Sequence, residues 1–152
     1  MLGLLVALSA ILQTQVPDSS ARARRLAALQ AFDDSLTTVS SAASAFRADL
    51  AAASPDLVVS RAARMQRRCA AAGAEGQRLA TVDSLDASLR RELGALRAAL
   101  GQCVTDFATG SSHRGVDSLA AWGPYRLVRL DSAIRRYRMA THEYKRRLGP
   151  PS

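Results

Sequence analysis

Residues 29–50 read "LQAFDDSLTTVSSAASAFRADL", and this stretch decides the fold of the chain. Its apolar residues recur at alternating intervals of three and four: Leu29, Phe32, Leu36, Val39, Ala43, Phe46 and Leu50. This spacing places them along one side of an α-helix, where they form a continuous seam that a neighbouring helix can cover. Pro17 and the cap-forming residues 18–20 precede the seam. We therefore predict a long helix over about residues 19–53.

Three further apolar seams with the same alternation follow this helix. They are Val58, Ala62, Met65, Cys69, Ala72, Gly76 and Leu79; Leu89, Leu93, Leu96, Leu100, Cys103 and Phe107; and Leu127, Leu130, Ile134, Tyr137, Thr141, Tyr144 and Leu148. They predict helices over about residues 55–81, 86–109 and 124–148, with Gly123 and Pro124 breaking the chain before the last helix. Short connections join the first three helices. The sequence thus predicts an all-α antiparallel up-down four-helix bundle, formed by a single domain over residues 18–149.

Residues 1–17 form an additional short N-terminal apolar segment, which opens with "MLGLLVALSAIL". As a helix, residues 2–12 would span roughly 16 Å, whereas the hydrocarbon core of a bilayer is about 30 Å thick. The length and composition are typical of a secretory signal, although no basic residue precedes the apolar run. We predict an export signal, either cleaved or retained as an anchor; the alternative is that its leucines pack on the bundle or on a partner. The side chains expected to dock are Leu2, Leu4, Leu5, Val6, Leu8, Ile11 and Leu12.

The two cysteines, Cys69 and Cys103, fall on the second and third seams. If these helices form a hairpin that brings the cysteines face to face, opposing residues have numbers that sum to 172. This register places the turn within residues 82–88. A disulfide between them would belong to an oxidising compartment and would agree with export to the periplasm or an extracytoplasmic membrane surface. Two buried free thiols are the alternative interpretation.

The surplus of positive charge is concentrated near the end of the chain. The net charge is +8, with 20 Arg and one Lys, and residues 124–148 carry eight basic residues against two acidic ones. Abundant Ala and Arg are typical of a GC-rich genome, so codon usage is an alternative explanation for part of this charge. A basic helix edged with aromatic residues favours binding to anionic lipid headgroups or an acidic protein face; the alternative is a solvated Arg face with Tyr137 and Tyr144 in the core. The predicted interaction surface is Arg126, Arg129, Arg135, Arg136, Arg138, Lys145, Arg146, Arg147, Trp122 and Tyr125.

Motifs for catalysis, metal binding and cofactor binding are missing from the sequence. It has no C-x-x-C-H haem motif, no Glu-x-x-His pair and no phosphate-binding loop. We therefore predict no catalytic residues, no metal site, no cofactor and no enzymatic activity.

The predicted function is that of a non-enzymatic extracytoplasmic structural or interaction protein, in particular an accessory subunit of a membrane complex. Its partner would be a protein or membrane complex, with an anionic membrane surface as a further candidate. The alternative is a small-ligand or cofactor-binding helical bundle with a cavity near Met65, Gly76 and Tyr137. A third hypothesis is a basic nucleic-acid-binding protein, which export and the lack of a recognition motif disfavour.

Overall fold

Four α-helices follow one another in the computed structural model, which describes residues 16–50, 55–109 and 116–149. They are α1 (Val16–Leu50), α2 (Pro55–Ala80), α3 (Ala87–Thr109) and α4 (Val116–Leu148). Each helix packs against the next, and α4 returns to contact α1. The described ranges contain no β-strand. The predicted antiparallel four-helix bundle is therefore confirmed.

The four predicted seams form the core of the bundle. Every seam residue is buried except Leu50 and Leu148, which lie partly buried at the ends of α1 and α4. Aromatic rings join the helices inside the core: Phe32 meets Tyr137 edge-to-face at 5.0 Å between ring centroids. Phe46 meets Phe107 in the same geometry at 5.1 Å. The three-and-four periodicity thus translates directly into burial along the length of the bundle.

The ends of the first three helices lie close to their predicted positions. Helix α1 begins at Val16, three residues earlier than predicted, because Pro17 fits the first turn of a helix, where a backbone N–H has no intrahelical partner. Its predicted end at residue 53 lies outside the described residues. Helices α2 and α3 agree with prediction to within one residue at their described ends. Asp86 caps α3, since its Oδ1 accepts a hydrogen bond from the backbone N–H of Leu89 at 2.8 Å.

The prediction that Gly123 and Pro124 break the chain is wrong. Helix α4 begins at Val116 and continues through Pro124 to Leu148. Pro124 lies on the exposed side, whereas Leu119, before it, is fully buried in the same core as the residues that follow. A proline inside a helix costs about 3 kcal/mol, and burial of the apolar residues on both sides of it opposes this cost. The apolar seam therefore begins at Leu119, about two helical turns before Leu127, where it was predicted to start.

The N-terminal docking residues Leu2, Leu4, Leu5, Val6, Leu8, Ile11 and Leu12 lie outside the described residues. Their role remains a prediction. Of the helices that the structure describes, none combines the length and the apolar character that a membrane span requires.

Candidate interaction surface

The outward side of α4 exposes an unusual set of side chains. Tyr125, Val128 and Met139 are 65%, 55% and 70% exposed, and they are three of the four large hydrophobic residues that stand exposed among the described residues. At 100° per residue they fall within one narrow sector of the helix, over roughly 21 Å of its length. Arg129, Arg135 and Arg136 flank them. We call these six residues the α4 outer face.

The predicted basic residues divide into two groups according to their partners. Five form ion pairs with carboxylates: Arg126 with Asp106, Arg136 with Glu92, Arg138 with Asp33, Arg146 with Glu143 and Arg147 with Asp86. Arg129, Arg135 and Lys145 pair with no carboxylate in the described part of the chain. Among the described residues, the guanidinium of Arg135 donates only to the Ser132 hydroxyl, at 3.3 Å. Two of the three unpaired cations, Arg129 and Arg135, therefore lie on the α4 outer face.

The C-terminal part of α4 closes one end of the bundle. Arg147 donates to Asp86 Oδ2 at 2.6 Å, and the Tyr144 hydroxyl donates to the Ser84 carbonyl at 3.0 Å. Ser84 holds the left-handed conformation in the turn between α2 and α3, with φ of 69°. Arg147 therefore helps to hold the turn between α2 and α3 in place. A count of charges alone does not separate such structural residues from residues that bind a partner.

Trp122, which the sequence places on the interaction surface, packs into the bundle. Its ring meets Phe107 at 6.2 Å between centroids. Phe107 also lines a groove of about 320 Å³ that runs between α3 and α4. The groove is lined by Ala95, Ala98, Ala99, Gln102, Cys103, Asp106, Phe107, Arg126, Leu127, Arg129, Leu130, Ala133 and Arg136. Arg129 and Arg136 therefore belong both to the rim of this groove and to the α4 outer face.

Tyr137, on the buried side of α4, has a strongly perturbed hydroxyl group. Burial raises the pKa of Tyr137 to about 12, with a further contribution from the Asp33 carboxylate and an opposing one from the Thr141 hydroxyl beside it. The hydroxyl oxygens of Tyr137 and Thr141 are buried, and neither makes a well-formed hydrogen bond with the described residues. In the region where the alternative function places a cavity, Phe32 packs against both Gly76 and Tyr137.

A disulfide joins Cys69 on α2 to Cys103 on α3, with their Cα atoms 6.1 Å apart. The bond is buried in the core, and Cys69 is completely inaccessible. It closes a loop across 34 residues of sequence. The two cysteines therefore face each other across the α2–α3 hairpin, as the predicted register, in which the numbers of opposing residues sum to 172, requires. Residues 16–50, 55–109 and 116–149 contain no cluster of three or more side chains suited to hold a metal ion.

Sequence reasoning missed two features of the surface. The first is the pair of exposed apolar residues Val128 and Met139. Neither belongs to the fourth seam, and this position off the seam could have indicated that they are exposed. The second feature is a cluster of four arginines on α2, at positions 61, 64, 67 and 68. It was overlooked because the larger surplus of charge lies on α4.

Comparisons with protein-family models, curated proteins and solved structures find no match for this chain. The fold defines it as an all-α four-helix-bundle protein.

Proposed function

We propose that this chain is a non-enzymatic interaction protein on the extracytoplasmic side of a membrane, where it acts as an accessory subunit of a membrane complex. It contacts the complex through the α4 outer face, and the apolar N-terminal segment provides a second contact. The observation that carries the proposal is the coincidence of Tyr125, Val128 and Met139 with the unpaired Arg129 and Arg135. Exposed apolar side chains bordered by polar residues mark surfaces that bind other proteins or membranes.

The buried disulfide supports the extracytoplasmic location. Disulfides persist in oxidising compartments and are rare where thiols are kept reduced. The charges support the choice of partner, because unpaired arginines attract acidic protein surfaces and anionic headgroups without first breaking an internal ion pair.

Site-specific photo-crosslinking in the host cells tests the proposal. A photoreactive residue replaces Val128 or Met139, and the matched controls place it at Ala31 or Ala48, which are exposed on α1. We expect a defined crosslinked product in the membrane fraction from both α4 positions and none from the α1 positions. Equal crosslinking from the two helices would contradict a docking surface on α4.

A charge-insertion pair provides the second test. The double variant Val128→Asp/Met139→Asp places carboxylates in the proposed contact, and Ala31→Asp/Ala48→Asp adds the same charge to α1. Burying an unpaired charge in an interface costs more than about 1.4 kcal/mol, so the affinity of the α4 outer face for the membrane complex should fall at least about tenfold in the α4 variant alone. A similar fall in both variants would show a general effect of charge.

The α3–α4 groove favours a second candidate function, which is binding of a small molecule. Its volume of about 320 Å³ lies at the lower end of the range of ligand sites. Native mass spectrometry of the protein purified from its own host tests this candidate. We expect a co-purifying molecule that is lost in Ala95→Trp, which fills the groove, and retained in Ala87→Trp, which lies outside it. A mass without any adduct would remove the candidate.

A further inference from the structure

Helix α2 carries four arginines within eight residues, and most of their charge is uncompensated. Of the four, Arg61 alone has a carboxylate partner within the part of the chain that the structure describes: its Nε donates to Asp49 Oδ2 at 2.6 Å. Arg64, Arg67 and Arg68 make no ion pair or hydrogen bond with the residues that the structure describes. Arg64 and Arg68 are one helical turn apart, and like charges at this spacing destabilise a helix slightly. The pair thus holds two positive charges side by side without an internal counterion.

Arg64 and Arg68 face a groove of about 290 Å³ between α1 and α2. Its other lining residues are Arg61, Thr37, Thr38, Ser41, Ala42 and Ala45. The α1 wall carries no charge between Asp34 and Arg47, and its side chains in the groove are small. The groove therefore combines two available guanidinium groups on one side with hydroxyl groups and open space on the other.

The hydroxyl groups of the α1 wall are able to serve as donors. Thr38 Oγ1 donates to the Ser35 carbonyl at 2.8 Å, and Ser41 Oγ donates to the Thr37 carbonyl at 3.0 Å. Both carbonyls belong to helical backbone, where such side-chain bonds are secondary, so each hydroxyl can rotate towards a stronger acceptor. Thr37 is less suited, because its Oγ1 both donates to the Asp33 carbonyl at 3.0 Å and accepts a hydrogen bond from Arg138 at 3.0 Å, and these two bonds together fix its orientation.

The chemistry of this groove matches a tetrahedral oxyanion. The planar guanidinium group donates two parallel hydrogen bonds to phosphate oxygens, and these charge-assisted bonds are stronger than neutral ones. The only apolar side chains that line the groove are Ala42 and Ala45, which offer little area for a protein partner. A compact anion, by contrast, gains hydrogen bonds from both walls.

We propose that the α1–α2 groove binds a phosphate group. Arg64 and Arg68 hold its oxygens through charge-assisted hydrogen bonds, and the hydroxyl groups of Thr38 and Ser41 donate from the opposite wall. The phosphate group belongs either to a free phosphate ion or to a phospholipid headgroup. The site shares no residue with the α4 outer face, so it goes beyond the proposed function and does not depend on it.

Titration of the full-length, oxidised protein with inorganic phosphate at constant ionic strength, followed by NMR, is the first test. We expect saturable shifts of the side-chain Nε–H signals of Arg64 and Arg68. Loss of hydrogen bonds to a charged group weakens binding at least about tenfold, which is the change expected in Arg64→Gln/Arg68→Gln. The matched control is Arg67→Gln, since Arg67 lies on the same helix with the same charge but does not line the groove. Its dissociation constant should change less than about twofold.

Sedimentation with vesicles distinguishes the two sources of the phosphate group. If the ligand is a headgroup, the wild type and Arg67→Gln bind phosphatidylglycerol vesicles, and Arg64→Gln/Arg68→Gln binds them at least about tenfold more weakly. If the ligand is the free ion, vesicle binding is equal in all three proteins, while the phosphate-induced NMR shifts still require Arg64 and Arg68. Two results would overturn the site: an equal loss in Arg67→Gln and the double variant, or no saturable binding of phosphate or vesicles. Unchanged circular dichroism shows that the variants fold, as expected for glutamine on an exposed helical surface.

Discussion

The α2–α3 interface and the α1–α4 interface are held together in different ways. Between α2 and α3, a disulfide links the helices, and Gly76 allows the side chain of Arg97 to approach closely. Between α1 and α4, the contacts come from long side chains: Phe32 packs against Tyr137, and Arg138 pairs with Asp33 at 2.8 Å. Arg47 and Asp131 form another ion pair across the same interface.

The difference follows from the positions of the helices in the chain. Helices α2 and α3 are neighbours joined by a short turn, so little chain entropy is lost when they pair. Helices α1 and α4 come from opposite ends of the described chain, and their pairing must be specified by side chains. Their ion pairs are partly solvated and contribute about 0–1 kcal/mol each. Burial of Phe32 against Tyr137, and of Phe46 against Gly123, therefore stabilises this interface more than its ion pairs do.

Truncation of Phe32 should have the largest effect, since its fully buried ring contacts Gly76 on α2 and Tyr137 on α4. We expect Phe32→Ala to lower the free energy of unfolding by about 3–5 kcal/mol. Urea unfolding measures the change. Val128→Ala, at an exposed site, is the control and should stay within about 0.5 kcal/mol of the wild type. A loss below about 1 kcal/mol in Phe32→Ala would show that the α1–α4 interface depends on other contacts.

Reduction of the disulfide should have the next largest effect, and the bond that it removes joins α2 to α3. The loop across 34 residues predicts a loss of about 3–4 kcal/mol in the free energy of unfolding. Urea unfolding with and without a reductant measures it, and Cys69→Ala/Cys103→Ala in the absence of reductant serves as a second form without the bond. Equal unfolding midpoints for oxidised and reduced protein would contradict the assigned contribution.

Alkaline pH should weaken the α1–α4 interface through Tyr137. Its folded-state pKa of about 12 exceeds the ordinary value of 10, so the unfolded chain loses this proton first as the pH rises. The stabilisation is complete below pH 10 and is lost between pH 10 and 12, by up to about 1.4 kcal/mol per pH unit. Urea unfolding across this range should give a shallower decline for Tyr137→Phe than for the wild type. Parallel declines would exclude Tyr137 as the cause.

Two glycines on α2 provide the smallest and most closely matched comparison. A Cβ at Gly76 would lie 3.1 Å from both Phe32 and Arg97, and the buried Phe32 ring has little room to move. We expect Gly76→Ala to destabilise the protein by about 1 kcal/mol, because overpacking exceeds the gain in helix propensity. A Cβ at Gly73 meets no atom within 4 Å, so Gly73→Ala should stabilise by up to about 1 kcal/mol. Thermal unfolding measures both, and equal signs would contradict the close packing at Gly76.

Local periodicity made most of the fold predictable from the sequence. Prediction of the seam from Leu29 to Phe46 needed only one assumption, that apolar residues on one side of a helix are buried, and these residues are buried in the structure. The prediction for Pro124 was wrong, because it considered the cost of a proline inside a helix without the burial of Leu119, which precedes the proline in the same helix. Local rules for prolines therefore fail where an apolar seam continues on both sides.

The binding surface was less predictable, because it depends on which charges find partners. Asp33 pairs with Arg138 across 105 residues, and nothing in either local sequence indicates this pairing. Arg129 and Arg135 remain available only because no described carboxylate faces them. The sequence identified α4 as basic, but the bundle geometry was needed to separate Arg135 from Arg138.

The thiol state of the native protein tests the extracytoplasmic assignment most directly. Cells of the host are separated into membrane and soluble fractions, and each fraction is then denatured, to expose the buried cysteines, and treated with an alkylating reagent before and after reduction, with the intact mass measured each time. We predict that Cys69 and Cys103 react only after reduction and that the protein is found in the membrane fraction. Free thiols that react without reduction, in a protein from the soluble fraction, would contradict the account, and the basic α4 helix would then have to be assayed against nucleic acid.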